Sequence, residues 1–514
     1  MTTPVSKSTT ASLRELIDSH ADSNEVPDVL VSGLAIDSRA VTPGDAFFAV
    51  SGFREHGLQF SDEAIRKGAV AIVYDPCGAD PQAIQKLRER TNRPLVPVPS
   101  LRFELGPIAD RFYGHPSAEL GVIGVTGTNG KTSCCHFLAQ ALSQFKPCGV
   151  VGTVGWGTPG NLKELQNTTP EPLHLQSVLA QFRDRGTKFV AVEVSSHALV
   201  QKRTRAVRFV GAAFTNITRD HLDYHKTMRI YVAAKLKLLL SPGLEFVVVN
   251  MDDRHAGQIL AAVPSNIRIM GFSRSLQSDS PFVRLKVSAL RHDDQGVEFQ
   301  VHFEDRIVPV SAPLFCDFNV DNVLTVLGIL LELGISLPEA VAALQTIKPV
   351  AGRLERFCEG YGSPTVIVDY AHTPHALQSI LEGLRMHCHG ALWLVFGCGG
   401  DRDRGKRPLM GRIAEMNADH VLLTDDNPRH EDGSTIIKEI LSGCSNPAIP
   451  VERDRRRAIH GVIQKASPDD MIVIAGKGHE NTQEIDGVKY PFSDRVVALE
   501  ALRQRAAAVV GTVS

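Results

Sequence analysis

The chain has 514 residues, enough for roughly three or four domains. Hydrophobic residues make up 43% and charged residues 22%, the balance of a globular enzyme rather than of a disordered or fibrous chain. A formal net charge of -2 excludes any global electrostatic case for nucleic acid or an anionic membrane as a partner.

The nine cysteines are odd in number and include no C-x-x-C pair, which in a chain this long fits a reducing compartment better than a disulfide scaffold. The polar start, Met1 to Thr10, lacks the apolar segment of a signal peptide. No run of about 18 apolar residues is present, so no membrane span is expected. Together these features point to the cytoplasm. Two basic runs occur, Lys202 to Arg208 and Arg453 to Arg457, and such runs by themselves read as solvated faces.

In chain order, the first segment holds a short helix (Leu13 to Ser19), a turn-rich stretch (Ile36 to Phe53) and strands at Ala69 to Tyr74 and Leu95 to Val98. It reads as a small α/β domain, residues 1–117, with His115, Pro116 and Ser117 as the linker because proline disfavours helix before it. A second segment, residues 118–349, carries strands at Leu120 to Val125, Lys188 to Val194 and Glu245 to Asn250. Such near-continuous apolar runs suit a parallel sheet covered on both faces. Its helices are Cys134 to Leu142, Met228 to Leu240 and Val320 to Leu333, the last closed by Gly334. In the third segment, residues 350–514, four short strands (Thr365 to Tyr370, Ala391 to Phe396, His420 to Thr424, Met471 to Ala475) each end in a polar loop. That alternation predicts a Rossmann-like, doubly wound sheet whose loops meet on one edge. The fold class is therefore α/β in three domains: a small N-terminal α/β domain, a central P-loop-type, mainly parallel sheet, and a C-terminal Rossmann-like domain.

The stretch from Gly124 to Ser133 is the strongest chemical signal. A strand, a glycine loop and a helix start form a phosphate cradle, because glycine backbone N–H groups and the helix N-terminus face oxyanions. Lys131 can reach the β- and γ-phosphates, and the Thr132 hydroxyl can hold Mg²⁺. The first glycine of an ordinary P-loop would fall at Val125; the glycines stand instead at Gly124, Gly127 and Gly130.

Several motifs agree in order with the ATP-dependent Mur ligases of peptidoglycan synthesis, which this chain resembles over nearly its whole length. They are the loop Gly127 to Thr132, Asn167 to Pro170, Glu193 to His197, Asp220 to His225, Lys235, Phe318 to Asn322, Gly352 to Glu355 and Asp369 to Pro374. Gly400 to Asp403, Asp426 to Arg429 and Gly476 to Glu480 resemble the branch that adds the third peptide residue. The Asp-Asn-Pro-Arg form resembles the subtype that adds meso-2,6-diaminopimelate rather than lysine.

The resemblance implies an ATP-driven ligase acting on UDP-N-acetylmuramoyl-L-alanyl-D-glutamate. The substrate carboxylate takes the γ-phosphoryl group, giving an acyl phosphate and ADP, and the incoming amine then displaces phosphate. It implies a cytoplasmic monomer with no nucleic-acid or membrane partner. ATP would be held by Gly127, Thr128, Asn129, Gly130, Lys131, Thr132, Ser133, Asn319, Asn322 and Arg353, with Arg353 arriving on domain closure. Read by themselves, Asn319 and Asn322 share a helix face and serve a helix cap equally well, a role open to Asp317 too. Mg²⁺ would be held by Thr132, Glu193, His221 and Lys235, the last as N6-carboxylysine; Lys131, His221 and Lys235 form the catalytic set. Alone, Glu193 reads as a loop carboxylate and Lys235 as a solvated helix lysine with Lys237 as a nearby decoy. Carbamylation requires a neutral amine, hence a lowered lysine pKa.

The UDP-muramyl dipeptide would be held by Ile36, Ser38, Thr168, Thr169, Ser195, Gln201 and Arg203, with Phe53 to Glu55 as looser candidates. Hydroxyls, an amide and a guanidinium suit lactyl, peptide and carboxylate oxygens. Diaminopimelate would be held by Arg402, Asp426, Asn427, Pro428, Arg429, Gly476 and Glu480. It differs from lysine by a distal carboxylate, which the planar fork of Arg429 suits. Asp369 and His372 are further candidates near the nucleotide. Taken alone, Asp-Asn-Pro is equally a turn. The alternatives are a lysine-adding relative, a folylpolyglutamate-type synthetase, and a nucleotide-dependent binding protein or motor that hydrolyses ATP without an amino acid.

Overall fold

Strands buried on both faces build the N-terminal sheet. In this computed structural model, which describes residues 10–17, 26–52, 55–278, 280–293, 296–359 and 362–513, strands β1 (Gly33–Ala35), β2 (Asp45–Ala49), β3 (Ala71–Tyr74) and β4 (Leu95–Pro97) lie in that order, all parallel. Ala46, Phe48, Ala71 and Val73 pack on one face with the helix Leu101–Phe112. Phe47, Ala49, Ile72 and Tyr74 pack on the other. The two-residue period of a strand makes this division. Strand β2 lies inside the stretch expected to be turns: its five residues are all buried, so tertiary burial outweighs the turn-forming residues around them. The expected linker is a short 3-10 turn, Pro116–Ala118, in which Ser117 is buried and accepts from Arg208 N at 3.0 Å. The helix at Leu13 runs to Ile17, and Ser19 lies outside the described residues.

The next strands are β5 (Gly121–Thr126), β6 (Cys148–Gly152), β7 (Gly155–Thr158), β8 (Asn161–Lys163), β9 (Phe189–Glu193), β10 (Phe209–Phe214), β11 (Phe246–Asn250) and β12 (Arg268–Ser273), ordered β8-β7-β6-β9-β5-β10-β11-β12. Strands β6, β9, β5, β10 and β11 run parallel, and the β7–β8 hairpin turns back along the edge. Glu193 is level with Val125, and Phe214 with Thr126. The loops after β9, β5 and β10 therefore leave the same sheet edge side by side.

The chain divides into two units. The first comprises Met1–Lys131, Leu138–Val249 and Asp253–Met270; the second comprises Thr132–Phe137, Asn250–Asp252 and Gly271–Ser514. Within the second, the end of β12 pairs in parallel with β13 (Val283–His292), and β14 (Val297–Phe303) and β15 (Arg306–Ala312) follow as an antiparallel meander. This meander was not among the expected elements. The helix expected at Val320 starts three positions earlier (Asp317–Glu332) and ends before Gly334, whose φ of +84° closes it.

The C-terminal sheet comprises β16 (Glu355–Phe357), β17 (Thr365–Asp369), β18 (Leu392–Phe396), β19 (His420–Leu423) and β20 (Met471–Ala475), ordered β16-β17-β20-β18-β19. All but β16 run parallel. Ile367, Leu394 and Val473 face one core, and Val366, Val395 and Ile472 the other. The four expected strands are all present, and their carboxyl ends share one edge. A small hairpin, β21 (Thr482–Ile485) and β22 (Val488–Pro491), follows β20.

Candidate active site

The glycine loop joins β5 to the helix Lys131–Leu142, so that helix starts at the lysine rather than at Cys134. Gly127 cannot be anything larger: an added Cβ would lie 1.9 Å from Thr215 Oγ1, at a φ of +153°. The loop after β10 braces it. Thr128 N donates to Asn216 O at 2.7 Å and Asn129 N to Asn216 Oδ1 at 3.0 Å. Two of the amides expected to face phosphate are therefore engaged by Asn216. Thr215 Oγ1 donates to Asn129 O at 2.6 Å. Lys131 folds back, its Nζ donating to Gly127 O at 2.9 Å and Thr128 O at 2.8 Å.

Lys235 closes the helix Met228–Leu236 and is buried, with Nζ donating to Gly127 O at 2.6 Å and lying 4.6 Å from the Tyr231 ring centroid. Burial, reinforced by the Lys131 charge, drives its ammonium well below the usual lysine range. Lys237, two positions on, is exposed. The packing thus separates two lysines that look alike in the sequence. His221 follows β10 in a left-handed conformation (φ 52°) and stays half-exposed. Burial lowers its pKa, with the neighbouring Asp220 opposing.

Glu193 ends β9 and is fully buried. Its carboxylate accepts from Thr153 N at 2.9 Å and Thr153 Oγ1 at 3.1 Å. Among the described residues, no three His, Cys, Asp or Glu side chains gather as a ready-made metal cage. Thr132 and Ser133 stand in the first turn of their helix.

Beside Glu193 lies a polar cluster. Thr168 Oγ1 is 3.0 Å from Thr153 Oγ1, Thr169 Oγ1 donates to Glu193 O at 2.7 Å, and Ser195 N donates to Thr169 Oγ1 at 3.0 Å. Arg203 Nη1 donates to Thr169 O at 2.9 Å, its Nε donates to Gln201 Oε1 at 2.8 Å, and Glu171 pairs with Nη2 at 3.0 Å. The structure thus brings Thr168, Thr169, Ser195, Gln201 and Arg203 together; Arg203 is largely buried, not part of a solvated face. A cavity of about 280 Å³ opens beside them, lined by Ile36, Val50, Arg102, Leu105, Glu171, Pro172 and Gln201. Ser38 is not in that lining: its hydroxyl donates to Glu63 Oε2 at 2.5 Å. Of the looser candidates, Phe53 and Arg54 lie outside the described residues, and Glu55 accepts from Gln59 Nε2 at 2.7 Å. Arg102 carried no sequence signal, because its part in the cavity depends on the helix Leu101–Phe112 facing Pro172.

In the second unit Asn319 and Asn322 are buried and bonded to each other, Nδ2 of Asn322 to Oδ1 of Asn319 at 2.8 Å. Neither caps the helix: the N-cap position is Cys316, with no side-chain cap, and Asp317 pairs with Arg274 at 2.8 Å and His292 at 2.6 Å. Arg353 lies over the Tyr370 ring at 4.5 Å. Asp369 braces its loop, accepting from Leu354 N at 2.7 Å and Ala371 N at 2.6 Å. His372 Nδ1 sits 2.8 Å from Tyr370 O.

The loops after β19 and β20 interlock. Asn427 Nδ2 donates to Glu480 Oε2 at 2.9 Å, while Asn427 Oδ1 accepts from Lys477 Nζ at 2.9 Å and Glu484 N at 2.9 Å. Lys477 Nζ also donates to Glu480 Oε2 at 3.0 Å. Burial opposes ionisation of Glu480, but Lys477 and the Asn427 amide hold its carboxyl below the usual range. Asp426 is buried under Gly476, where an added Cβ would meet Asp426 Oδ2 at 2.5 Å. Burial raises its pKa. Arg429 Nη1 donates to Gly400 O at 2.7 Å, with Glu484 Oε2 at 3.5 Å from its Nε. Pro428 packs on Gly400, and Arg402 is exposed.

Sequence reasoning missed Lys477, fully buried at the centre of this knot; its position three residues before Glu480 was the available signal. It also missed Arg455. That residue of the second basic run is not solvated: it is fully buried against Asp494, with Nε to Oδ1 at 2.7 Å and Nη2 to Oδ2 at 2.8 Å.

Three family descriptions match in order: "Mur ligase family, catalytic domain" over residues 30–113, "Mur ligase middle domain" over 125–330 and "Mur ligase, glutamate ligase domain" over 352–478. The chain is 46% identical over 480 residues to the UDP-N-acetylmuramoyl-L-alanyl-D-glutamate--2,6-diaminopimelate ligase of Xanthomonas oryzae pv. oryzae (strain MAFF 311018), covering 93% of this chain and 95% of that protein. Identity to the same-named protein of Coxiella burnetii (strain RSA 493 / Nine Mile phase I) is 44% over 477 residues, covering 92% and 96%. A solved structure of a UDP-N-acetylmuramoyl-L-alanyl-D-glutamate--2,6-diaminopimelate ligase superimposes with a TM-score of 0.69 at 34% identity, covering 97% of this chain and 99% of that one. The MurF ligase of Thermotoga maritima in complex with ADP shares the fold, at a TM-score of 0.62 and 18% identity over 94% of this chain and 98% of that one. By its glycine loop, its sheet order and these matches along its length, the chain belongs to the Mur ligase family.

Proposed function

We propose that the chain joins meso-2,6-diaminopimelate to UDP-N-acetylmuramoyl-L-alanyl-D-glutamate at the expense of ATP, as a cytoplasmic monomer serving peptidoglycan synthesis. The observation that carries this reading is the 46% identity over 93% of the chain to a protein named for that reaction. The interlocked Asn427, Lys477 and Glu480 beside Arg429 give it a physical basis. No helix among the described residues is long and apolar enough to cross a membrane.

The domains in this reading are residues 1–117 for the UDP substrate, 118–349 for ATP and 350–514 for the amino acid. Matches over 30–113, 125–330 and 352–478 support those boundaries. ATP binds the loop Gly127 to Lys131, with Thr132, Ser133, Asn319, Asn322 and Arg353 as its other proposed contacts. Lys131 leaves its two loop carbonyls for the β- and γ-phosphates. The dipeptide carboxylate, held by the hydroxyls and guanidinium around Thr169 and Arg203, attacks the γ-phosphorus. Two anions meet in that step, so preorganised donors dominate catalysis.

The residues fit a Mg²⁺ site in their chemistry. Glu193 supplies a carboxylate, Thr132 a hydroxyl, His221 an imidazole, and Lys235, as a carbamate, further oxygens. A bound ion would neutralise charge on the reacting phosphates. Lys235 supports carbamylation because its burial favours the neutral amine that reacts with CO₂.

In the second half-reaction the amine of diaminopimelate attacks the acyl phosphate. Arg429 receives the distal carboxylate, Glu480 accepts from the neighbouring ammonium, Asn427 adds an amide contact, and Arg402 binds the other carboxylate. The test is phosphate release against an amino-acid panel with the UDP-muramyl dipeptide present. Release that needs both the dipeptide and diaminopimelate supports the reading; equal release with lysine or with no amino acid rejects it.

A further inference from the structure

Two loops of the second unit, given different substrates above, are tied from behind by consecutive residues. Asp494 and Arg495 begin the helix Asp494–Val513. Arg495 grips Glu355 with both prongs, Nε to Oε2 at 2.6 Å and Nη2 to Oε1 at 2.8 Å. Glu355 Oε2 also accepts from Gly352 N at 2.7 Å, the amide just before Arg353. On the other side of Arg353, Leu354 N is held by Asp369. The Arg353 guanidinium itself rests on a ring face, and its Nε is buried with no hydrogen-bond partner among the described residues. Its direction is therefore set by the loop backbone, and the backbone by Glu355 and Asp369.

Asp494 faces the other loops. Its carboxylate holds Arg455, whose Nη2 donates to Ala475 O at 2.9 Å and whose Nη1 donates to Asp425 O at 3.4 Å. Ala475 and Asp425 directly precede Gly476 and Asp426, where the two amino-acid loops begin. Gly352 adds a contact between the two regions: a Cβ there would lie 2.1 Å from His479 N, so the Arg353 loop lies directly on the loop that carries Glu480.

We propose that Arg495 is a positioning residue. Through Glu355 it sets the loop that carries Arg353, and through Asp494 that setting is tied to the amino-acid loops. A bidentate guanidinium–carboxylate pair fixes direction as well as distance, which a water in its place would not. The inference rests on the assignment of Arg353 to ATP and of Asn427 to Glu480 to the amino acid.

Steady-state kinetics of Arg495→Met tests the first half. The side chain of Arg495 is 36% exposed, so its loss removes little packing. The expected result is an ATP KM raised about 10-fold, as for a residue that orients a contact group, with a lower kcat, a diaminopimelate KM raised only by the lost linkage, about 5-fold, and an unchanged urea midpoint. Arg495→Lys should recover part of the loss. Calorimetry with a non-hydrolysable ATP analogue, with and without saturating diaminopimelate and with the UDP-muramyl dipeptide present, tests the second half. The full chain should bind the analogue at least about 5-fold tighter with diaminopimelate, and Arg495→Met should lose that difference.

Arg353→Ala separates the inference from its premise. An unchanged ATP KM in Arg353→Ala would remove the premise. A raised ATP KM there, with Arg495→Met matching the parent chain, would overturn the inference alone. Retained linkage in Arg495→Met would overturn the tie to the amino-acid loops. Parallel losses of both affinities with a lower urea midpoint would reduce Arg495 to a stabilising residue and overturn the proposal.

Discussion

Lys131 and Lys235 share one acceptor: both ammonium nitrogens donate to Gly127 O, at 2.9 and 2.6 Å. Two cations on one carbonyl repel, and the buried partner yields. Lys235 is the one shifted well below the usual lysine range, by burial first and by Lys131 second. In the proposed reading Lys131 meets the phosphates and Lys235 is the amine that reacts with CO₂.

That asymmetry predicts a carbamate on Lys235 and none on exposed Lys237. Carbon-13 NMR with labelled bicarbonate should give a carbamate signal that Lys235→Ala removes and Lys237→Ala keeps. Lys235→Ala should lose about 10- to 100-fold in kcat, the range for a disturbed metal shell, partly restored by short carboxylates. A fully active Lys235→Ala chain would end the carbamate proposal.

Arg429 is held by Gly400 O and the Glu484 carboxylate, and in the proposed reading the rest of its fork takes the distal carboxylate of diaminopimelate. Arg429→Ala should raise the diaminopimelate KM about 10- to 100-fold, as expected for about 1.5–3 kcal/mol of hydrogen bonding to a charged group. The ATP KM should barely move. Equal diaminopimelate KM values in the two proteins would argue against Arg429 as the selector.

Arg455 and Asp494 form an ion pair with both side chains fully buried. Removing one partner strands the other charge. Arg455→Met should destabilise by about 3–5 kcal/mol, and Arg455→Met combined with Asp494→Leu should recover much of that. Urea denaturation of both variants is the measurement. A double variant no more stable than the single one would contradict the charge argument.

His136 is pushed down to about 4 by burial, with Arg353 and His479 adding repulsion. Its ordinary value is 6.5, so between these values the unfolded chain binds more protons than the folded one. Stability from this group is fully present above pH 6.5 and falls as the pH drops toward 4. His136→Gln should flatten the urea midpoint against pH across that window. An unchanged slope would show that His136 is not the titrating group.

Much of this arrangement was legible beforehand. The strand, glycine turn and helix start around Gly127 were readable because they are contiguous, whereas the bracing of that loop by Asn216 and Thr215 was not, since those partners lie 87 and 86 residues from Asn129. The C-terminal strands were readable because residues buried on both sheet faces leave unbroken apolar runs. Strand β2 was not, because it hides among turn-forming residues. The β13–β15 meander was overlooked although its middle strand carries a readable two-residue period, with Val297, Phe299 and Val301 buried and Glu298 and Gln300 exposed.

The sequence by itself determined the family, the glycine loop with its flanking strand and helix, the four parallel C-terminal strands, and the chemical types available at each motif, because these depend on residues close together along the chain. Tertiary structure alone decided which like residues differ: Lys235 buried but Lys237 exposed, Arg455 interior but Arg456 at the surface. It also decided that Lys477 sits inside the knot of Asn427 and Glu480 and that Arg495 reaches Glu355. Burial and charge pairing act through space, and the partners here lie up to 140 residues apart.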